Sequence, residues 1–311
     1  MKILIQSGGI DVRQYKITKS TEGQRLDKFL ARCLNVAPKA FIQKMLRKKN
    51  IVVNDKRAEN SYIIAAGDVI TLYFSDETID KFTKIGTKND GVVDVVYEDE
   101  NILVANKPTN LLTQPDTAES DSLLGRVRSH AKGNDFAPVA VNRLDRNTTG
   151  LVLFAKNLMA AQILSRQIHD RLIKKHYIAA VHGKIAKAIN LEGYHIKDAA
   201  KNKAKIALED VPRETSSKKA VTKITPVEYN DKLDVTMLKI VLETGRSHQI
   251  RAHLAEIGHP LVGDKKYGGK GEGRQMLHAY EVVFGNLDSP LEYLSGKVFK
   301  TPTPDDMAKY L

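Results

Sequence analysis

The sequence of 311 residues predicts an α+β protein, in which a small α+β domain precedes a larger one built on a mixed, mainly antiparallel sheet with flanking helices. Apolar helical stripes separated by runs of paired strands predict this class, and basic charge concentrated near the N-terminus marks the small domain. Between Gln14 and Phe74, twelve Lys and Arg stand against five Asp and Glu. We therefore expect a small domain at 14–75, a linker at 76–91 and a larger domain at 92–311.

Composition excludes several classes of protein. The formal net charge of +12 favours a polyanionic partner, although a merely solvated basic surface is the alternative. No stretch approaches the roughly 18 apolar residues of a membrane span, and the N-terminal Met1–Ile5 run is too short for a signal peptide. Cys33 is the only cysteine, which excludes an internal disulfide and a cysteine-rich zinc site. A reducing cytoplasm is the expected location.

The N-terminal part contains two predicted helices and two predicted strands. Apolar residues recur at helical spacing over Arg25–Leu34, and Pro38 is placed to open a second helix. Ile51–Val53 and Val69–Phe74 are predicted strands, the second of them preceded by a Gly-Asp turn. The segment 76–91 shows neither helical nor alternating periodicity and is interpreted as the linker.

Basic side chains gather on the second helix and at its end. Such a cluster can simply stabilise the helix C-terminus and keep the surface soluble. Together with Arg25-Leu-Asp-Lys-Phe-Leu30, the Val53-Asn54 pair and Gly67-Asp68, however, it resembles the small RNA-binding domain named after ribosomal protein S-four. The resemblance implies sequence-tolerant docking on RNA phosphates. The residues that it implicates are Lys39, Lys44, Arg47, Lys48 and Lys49.

The larger domain contains further apolar segments of strand and helix type. Strands are predicted at 92–97, 102–105, 151–155, 176–181 and 235–242, and a helix is predicted at 159–168. The lysine-rich stretch Lys197–Lys223 is either a hairpin that touches RNA or a solvated excursion.

The stretch Asn142–Gly150 carries the first candidate for chemistry. In an extended chain Arg143 and Asp145 point to the same side, while Leu144 points into the core. The alternative is that Asp145 only organises the following turn through its own backbone.

Two further segments add candidates. Thr244–Gly258 is predicted to be a helix in which Arg251 lies beside the buried stripe and needs a carboxylate partner, which the sequence does not identify. The strand Lys175–Gly183 carries Tyr177, although a strand tyrosine is more often a core residue than a catalytic one.

Taken together, these segments resemble the pseudouridine synthases of the RluA type. The matching motifs are Arg143-Leu-Asp145, the Lys-x-Tyr-x-Ala strand from Lys175, the Gly-Arg-x-His-Gln-Ile-Arg-x-His helix, Tyr97-Glu-Asp-Glu100 and Asn106-Lys-Pro108. Later motifs follow in the same order at His259–Asp264, Tyr267-Gly268 and Leu277–Ala279. The sequence departs from the family pattern at Asn142, Asn147, Thr149, Ser247 and Gln114.

The resemblance implies isomerisation of uridine to pseudouridine in RNA, with Asp145 as nucleophile or base at the sugar of a flipped-out nucleotide. By the same resemblance, Asp145 pairs with Arg251, and Tyr177 packs against the uracil and helps to remove the proton from the carbon that becomes attached to the sugar. Arg143 is implied to stabilise the position in the RNA that the flipped nucleotide vacates. It implies no metal and no nucleotide cofactor. The front domain is similar to that of the subgroup acting on large-subunit (23S) ribosomal RNA. We expect a monomer.

Three other functions compete with this interpretation. Metal-dependent hydrolysis is disfavoured because His248 and His253 do not share a helix face. Phosphate-loop chemistry is disfavoured because Tyr267–Gly273 lacks the Gly-Lys-Ser/Thr ending, and this segment is interpreted as a flexible surface loop. The serious alternative is a non-catalytic RNA-binding factor for ribosome assembly on the same fold.

Overall fold

The structure is a computed structural model that describes residues 2–7, 10–19, 21–34, 37–82, 91–117, 120–131, 136–198, 203–208 and 217–310. Its strands form a four-stranded sheet near the N-terminus and an eleven-stranded sheet in the remainder. Among the residues so described, no helix has both the length and the apolar character needed to span a bilayer.

The smaller sheet and its helices occupy the N-terminal part. The strands are β1 (Lys2–Ser7), β2 (Ile10–Lys16), β3 (Ile51–Val53) and β4 (Val69–Tyr73), and the helices are α1 (Leu26–Cys33), α2 (Lys39–Arg47) and α3 (Asp76–Phe82). The strands pair antiparallel in the order β1-β2-β4-β3. The predicted stripes are buried, with Leu26 and Leu30 on α1 and Ile42 and Leu46 on α2. The two predicted helices and both predicted strands are therefore present.

Two features of this part differ from the sequence interpretation. The sheet begins with β1 and β2, whereas the predicted domain began at residue 14. The predicted linker begins with the helix α3. Phe82, the last residue of this helix, packs on Phe41 with ring centroids 4.2 Å apart. Because α3 is short and contains four charged residues in seven, it carries no apolar stripe that periodicity could detect.

The larger part contains the remaining elements. Its strands are β5 (Val95–Glu98), β6 (Ile102–Lys107), β7 (Val139–Ala140), β8 (Thr149–Ala155), β9 (Ile173–His182), β10 (Ile189–Asp198), β11 (Lys203–Ala207), β12 (Lys218–Asn230), β13 (Val235–Leu242), β14 (Leu277–Phe284) and β15 (Val298–Lys300). Its helices are α4 (Leu123–His130), α5 (Leu158–His169), α6 (Gln249–Glu256) and α7 (Asp305–Ala308).

The large sheet runs in the order β11-β10-β12-β13-β9-β14-β8-β6-β5, with β15 on β14 and β7 on β8. Every pair is antiparallel except β8 with β14. The predicted fold class, α+β with a mixed and mainly antiparallel sheet, is confirmed. The lysine-rich stretch 197–223 contains the end of the hairpin β10–β11 and the start of β12.

Gly150 explains how the parallel pair approaches closely. Its φ is +112°, and a Cβ there would lie 2.2 Å from the carbonyl oxygen of Ala279 on β14. Glycine is the residue that fits both constraints. The turn that leads into β8 is thereby held within the sheet, next to β14.

Candidate active site

The turn before β8 presents Asp145 to a cavity while its neighbour anchors the chain. Leu144 is buried, and its backbone is fixed on both sides by Thr113, whose hydroxyl accepts from the Leu144 amide at 3.0 Å and donates to the Leu144 carbonyl at 2.9 Å. Thr148 N donates to Asp145 O at 3.0 Å and closes the turn. The Asp145 carboxylate remains 25% exposed and is therefore open to a ligand.

The helix α6 supplies the cation opposite this carboxylate. Ile250 and Leu254 face the core, and Arg251, next to them, is only 6% exposed. Its Nη1 donates to Asp145 Oδ2 at 3.0 Å. The predicted helix begins later than expected, because Thr244–His248 is a loop and His248 has a left-handed φ of +54°.

A second carboxylate holds the same guanidinium. Arg251 Nε donates to Asp264 Oδ2 at 2.6 Å and Nη2 to Asp264 Oδ1 at 2.8 Å, and the Asp264 side chain is 1% exposed. The Tyr267 ring lies under the guanidinium, with its centroid 4.8 Å from the central carbon. Burial alone would lower the pKa of Arg251, but Asp264 and Asp145 together raise it above its usual value. The arginine is thus a fixed cation shared between two acids.

Tyr177 completes the predicted set. It lies on β9 with 5% exposure, packs in the same core cluster as Leu144 and lines the cavity that contains Asp145. Burial and the negative charge of Asp145 raise its pKa well above the usual range. The neutral phenol is therefore the form present at neutral pH.

His248 connects Asp145 to Tyr267. Its Nε2 lies 3.8 Å from Asp145 Oδ2, and its Nδ1 lies 3.1 Å from the Tyr267 hydroxyl. That hydroxyl accepts a hydrogen bond from Ala204 N at 2.8 Å, so its own proton is free to point at Nδ1. Burial lowers the pKa of His248, while Asp145 opposes the shift. A neutral imidazole with its proton on Nε2, towards Asp145, satisfies these contacts.

The Asp145 turn is also tied to β6 by a buried lysine. Lys107 has no exposed surface, and its ammonium donates to three carbonyl oxygens: Pro108 at 2.9 Å, Leu111 at 2.7 Å and Arg146 at 2.8 Å. Burial lowers the pKa of Lys107 to about 7, against the opposing effect of Asp145. Because Arg146 directly follows Asp145, this lysine fixes the turn from inside the protein.

The cavity at this site is large and basic. Its volume is about 1360 Å³, and eleven Lys and Arg line it against four Asp and Glu. It exceeds the roughly 300–1,000 Å³ of a typical small-molecule site. A segment of a polyanionic chain fits both its size and its charge. No group of three His, Cys, Asp or Glu among the described residues could hold a metal ion.

The structure brings together Asp145, Tyr177, Arg251 and the exposed Arg143, all of which line this cavity. The basic residues predicted to contact RNA lie elsewhere, exposed on α2 and on the turn that follows it. These residues are Lys39, Lys44, Arg47, Lys48 and Lys49.

Sequence reasoning did not assign roles to Lys107, His248, Asp264 or Tyr267. Lys107, Asp264 and Tyr267 do stand in motifs that match the family pattern. This match is the signal in the sequence that could have marked them as site residues. The interpretation of 267–273 as a flexible surface loop is wrong at its first residue, because Tyr267 is buried against Arg251. It is also wrong at Gly269, where a Cβ would meet the Leu261 carbonyl oxygen at 1.9 Å.

Comparison with known proteins identifies two families along the chain. The family model for RNA pseudouridylate synthase matches residues 101–256, and that for the S4 domain matches 24–70. An uncharacterized RNA pseudouridine synthase of Mycoplasma pneumoniae, the MG209 homolog, is 34% identical over 270 residues, covering 85% of each chain. YlyB of Bacillus subtilis, which carries the same description, is 32% identical and covers 96% of this chain and 98% of its own.

Two further similarities extend the comparison. Ribosomal large subunit pseudouridine synthase C of Rickettsia bellii is 34% identical over 275 residues, covering 78% of this chain and 82% of its own. The solved structure of human RNA pseudouridylate synthase domain containing 1 superposes with a TM-score of 0.55 at 24% identity, over 70% of this chain and 84% of that one, which supports the fold. This chain belongs to the RNA pseudouridylate synthases, an isomerase family, and carries an S4 domain in front of the synthase domain.

Proposed function

We propose that this enzyme converts specific uridines of large-subunit ribosomal RNA to pseudouridine, with Asp145 as the reactive acid. The observation that carries the proposal is the partly open carboxylate of Asp145, held by Arg251 at 3.0 Å on the wall of a basic cavity. The relative from Rickettsia bellii, whose name specifies the large ribosomal subunit, supports the RNA class.

The reaction is an isomerisation in which the bond from the base nitrogen to the sugar breaks and a bond from a base carbon to the sugar forms. The carboxylate of Asp145 either attacks the sugar as a nucleophile or removes a proton from it, and the hydrogen bond from Arg251 fixes the direction of this carboxylate in both routes. The proton on the newly bonded carbon leaves, and the freed nitrogen gains one. No oxidation or energy input is involved.

Tyr177 and Arg143 complete the proposed machinery. Tyr177 packs against the uracil. Its phenol is neutral, so it can accept the carbon-bound proton only if its own proton passes to another group. Arg143, exposed beside Asp145, stabilises the position that the flipped nucleotide vacates. Flipping costs a few kcal/mol, which contacts with the surrounding RNA must offset.

The proposed division of labour gives residues 14–75 the task of docking on RNA phosphates and residues 92–311 the chemistry. Exposed cations on α2 support the first task. We include in the proposal that the enzyme works as a monomer in the cytoplasm.

The first test compares Asp145→Asn with a matched change at Asp116, an exposed acid that lines the same cavity. We expect Asp145→Asn to lose turnover by at least about a thousandfold and to keep RNA affinity, whereas Asp116→Asn keeps both. The measurement is pseudouridine formation in unmodified large-subunit ribosomal RNA, with binding followed separately. Substantial turnover by Asp145→Asn would remove Asp145 from the reactive role.

A second test separates the enzyme from the alternative, a non-catalytic assembly factor. Mass spectrometry of RNA from cells that lack the protein should show missing pseudouridines in large-subunit ribosomal RNA. Intact pseudouridines together with defective ribosome assembly would favour the alternative.

The role of the front domain can be measured directly. Deleting residues 1–75 should weaken RNA affinity and flatten its dependence on salt, because each lost phosphate contact removes about 0.7–0.9 from the log–log slope. An unchanged slope would show that the S4 domain does not bind the substrate.

A further inference from the structure

Lys175 is a cavity residue to which the chemistry above gives no task. It lies on β9 two positions before Tyr177, and both residues line the cavity. Side chains two apart on a strand share one face, about 6.6 Å apart along the chain. Lys175 and Tyr177 therefore present their side chains to the same wall of the cavity.

The ammonium of Lys175 has no acidic partner among the described residues, whereas three acids that line the same cavity are engaged by other cations. Glu243 pairs with Lys223 at 2.9 Å, and Asp145 and Asp264 both bind Arg251. The Lys175 side chain is partly buried, and burial lowers its pKa without any opposing charge. An unpaired, desolvated cation destabilises a folded chain, and such groups are typical of sites that await a ligand.

The position of Lys175 indicates which ligand it awaits. If the target base packs on Tyr177, one sugar separates that base from the phosphate of the same nucleotide. The distance from base to phosphate is then comparable to the distance between Tyr177 and Lys175 along the strand. A lysine ammonium binds phosphate as a point charge and needs no fixed orientation. We propose that Lys175 binds the backbone phosphate of the nucleotide whose base packs on Tyr177, an inference that rests on the proposed function.

The first experiment measures RNA binding as a function of salt, using a short RNA hairpin with one unpaired uridine in its loop. Lys175→Gln should bind about three- to tenfold more weakly and reduce the log–log salt slope by about 0.7. Lys175→Arg should keep the slope. The matched control is Lys239→Gln, an exposed lysine opposite Ile178 on the other face of the sheet, which should behave as wild type. An unchanged slope in Lys175→Gln overturns the proposal.

A second measurement locates the phosphate. Replacing the phosphate 5′ of the unpaired uridine by an uncharged methylphosphonate should weaken binding to wild type and leave binding to Lys175→Gln unchanged. An equal loss in both proteins overturns the proposal, because the modified phosphate then acts through another group.

Thermal stability distinguishes this role from a structural one. Lys175→Met removes an unpaired, partly buried charge, so its melting temperature should equal or exceed that of wild type while RNA binding falls. A lower melting temperature identifies Lys175 as a structural lysine and overturns the proposal. Failure of the proposed function has a different signature: the Lys175-dependent slope is present, but wild type forms no pseudouridine in any RNA.

Discussion

Asp264 and Asp145 hold the same guanidinium, but they should contribute very differently to stability. Asp264 is 1% exposed and makes two hydrogen bonds to Arg251, at 2.6 and 2.8 Å. Removing one partner of a buried ion pair costs about 3–5 kcal/mol. For a domain of this size that corresponds to a fall in melting temperature of roughly 6–20 °C. We expect this loss for Asp264→Asn, since the amide keeps the volume but not the charge.

Asp145 is the contrasting case. It is 25% exposed and makes one hydrogen bond to Arg251, at 3.0 Å. Solvent screens a pair of this kind, and its loss costs about 0–1 kcal/mol. Arg251 in Asp145→Asn keeps both bonds to Asp264, so no buried charge is left without a partner. We therefore expect nearly wild-type stability from Asp145→Asn, although its turnover should be lost.

The assay is thermal and urea denaturation followed by circular dichroism for Asp264→Asn, Asp145→Asn and the control Asp116→Asn. Turnover is measured on the same preparations at a temperature where all three are folded. We expect Asp264→Asn to lower kcat as well, because the guanidinium that orients Asp145 is no longer fixed. Equal melting temperatures for Asp264→Asn and wild type, or a greater loss for Asp145→Asn, would refute the assignment of Asp264 as the structural half of the pair.

Two further predictions concern buried titratable groups. Lys107→Met should lower kcat at least tenfold with little change in KM, because the Arg146 carbonyl beside Asp145 loses its donor. Its melting temperature should change modestly, since the loss of three hydrogen bonds is offset by the removal of a charge whose burial costs about 5 kcal/mol. Unchanged turnover would show that Lys107 does not position the turn. His253 and His278 are buried and burial lowers the pKa of each to about 4. The unfolded chain binds these protons first, so stability should be complete above pH ~6.5 and fall by up to about 3 kcal/mol per histidine as the pH drops towards 4. Urea denaturation between these pH values should show that the free energy of unfolding of His253→Gln depends less steeply on pH than that of wild type. An equally steep dependence would show that His253 does not contribute to the loss of stability at low pH.

Periodicity was sufficient for the elements that bury an apolar stripe. The helices α1, α2 and α5 and the strands β3, β8 and β13 agree with expectation to within two residues. It was insufficient for α3, in which four of seven residues are charged, and for α4 and β11, whose apolar stripes span only eight and five residues. Periodicity does not distinguish stripes this short from chance, and the contacts of the folded chain decide the element.

The site shows the same limit. Asp145, Tyr177 and Arg251 stand in recognisable motifs, and the need of Arg251 for a carboxylate followed from its place beside the buried stripe. The sequence could not show that two acids share it, because Asp264 reaches Arg251 only after the chain has left α6 and turned at Gly258. Lys107 was equally inaccessible to sequence reasoning, since its contact with Arg146 spans 39 positions.

The parallel pairing of β8 with β14 has a consequence for how the protein is made. The chain leaves the ribosome from its N-terminus, so β8 emerges with an open flank that β14 occupies only about 130 residues later. Asp145 likewise precedes its arginine by 106 positions. A nascent chain that stalls before β14 therefore displays an uncovered strand edge and an acid without its cation, and the large sheet cannot be assembled until β14 has been translated.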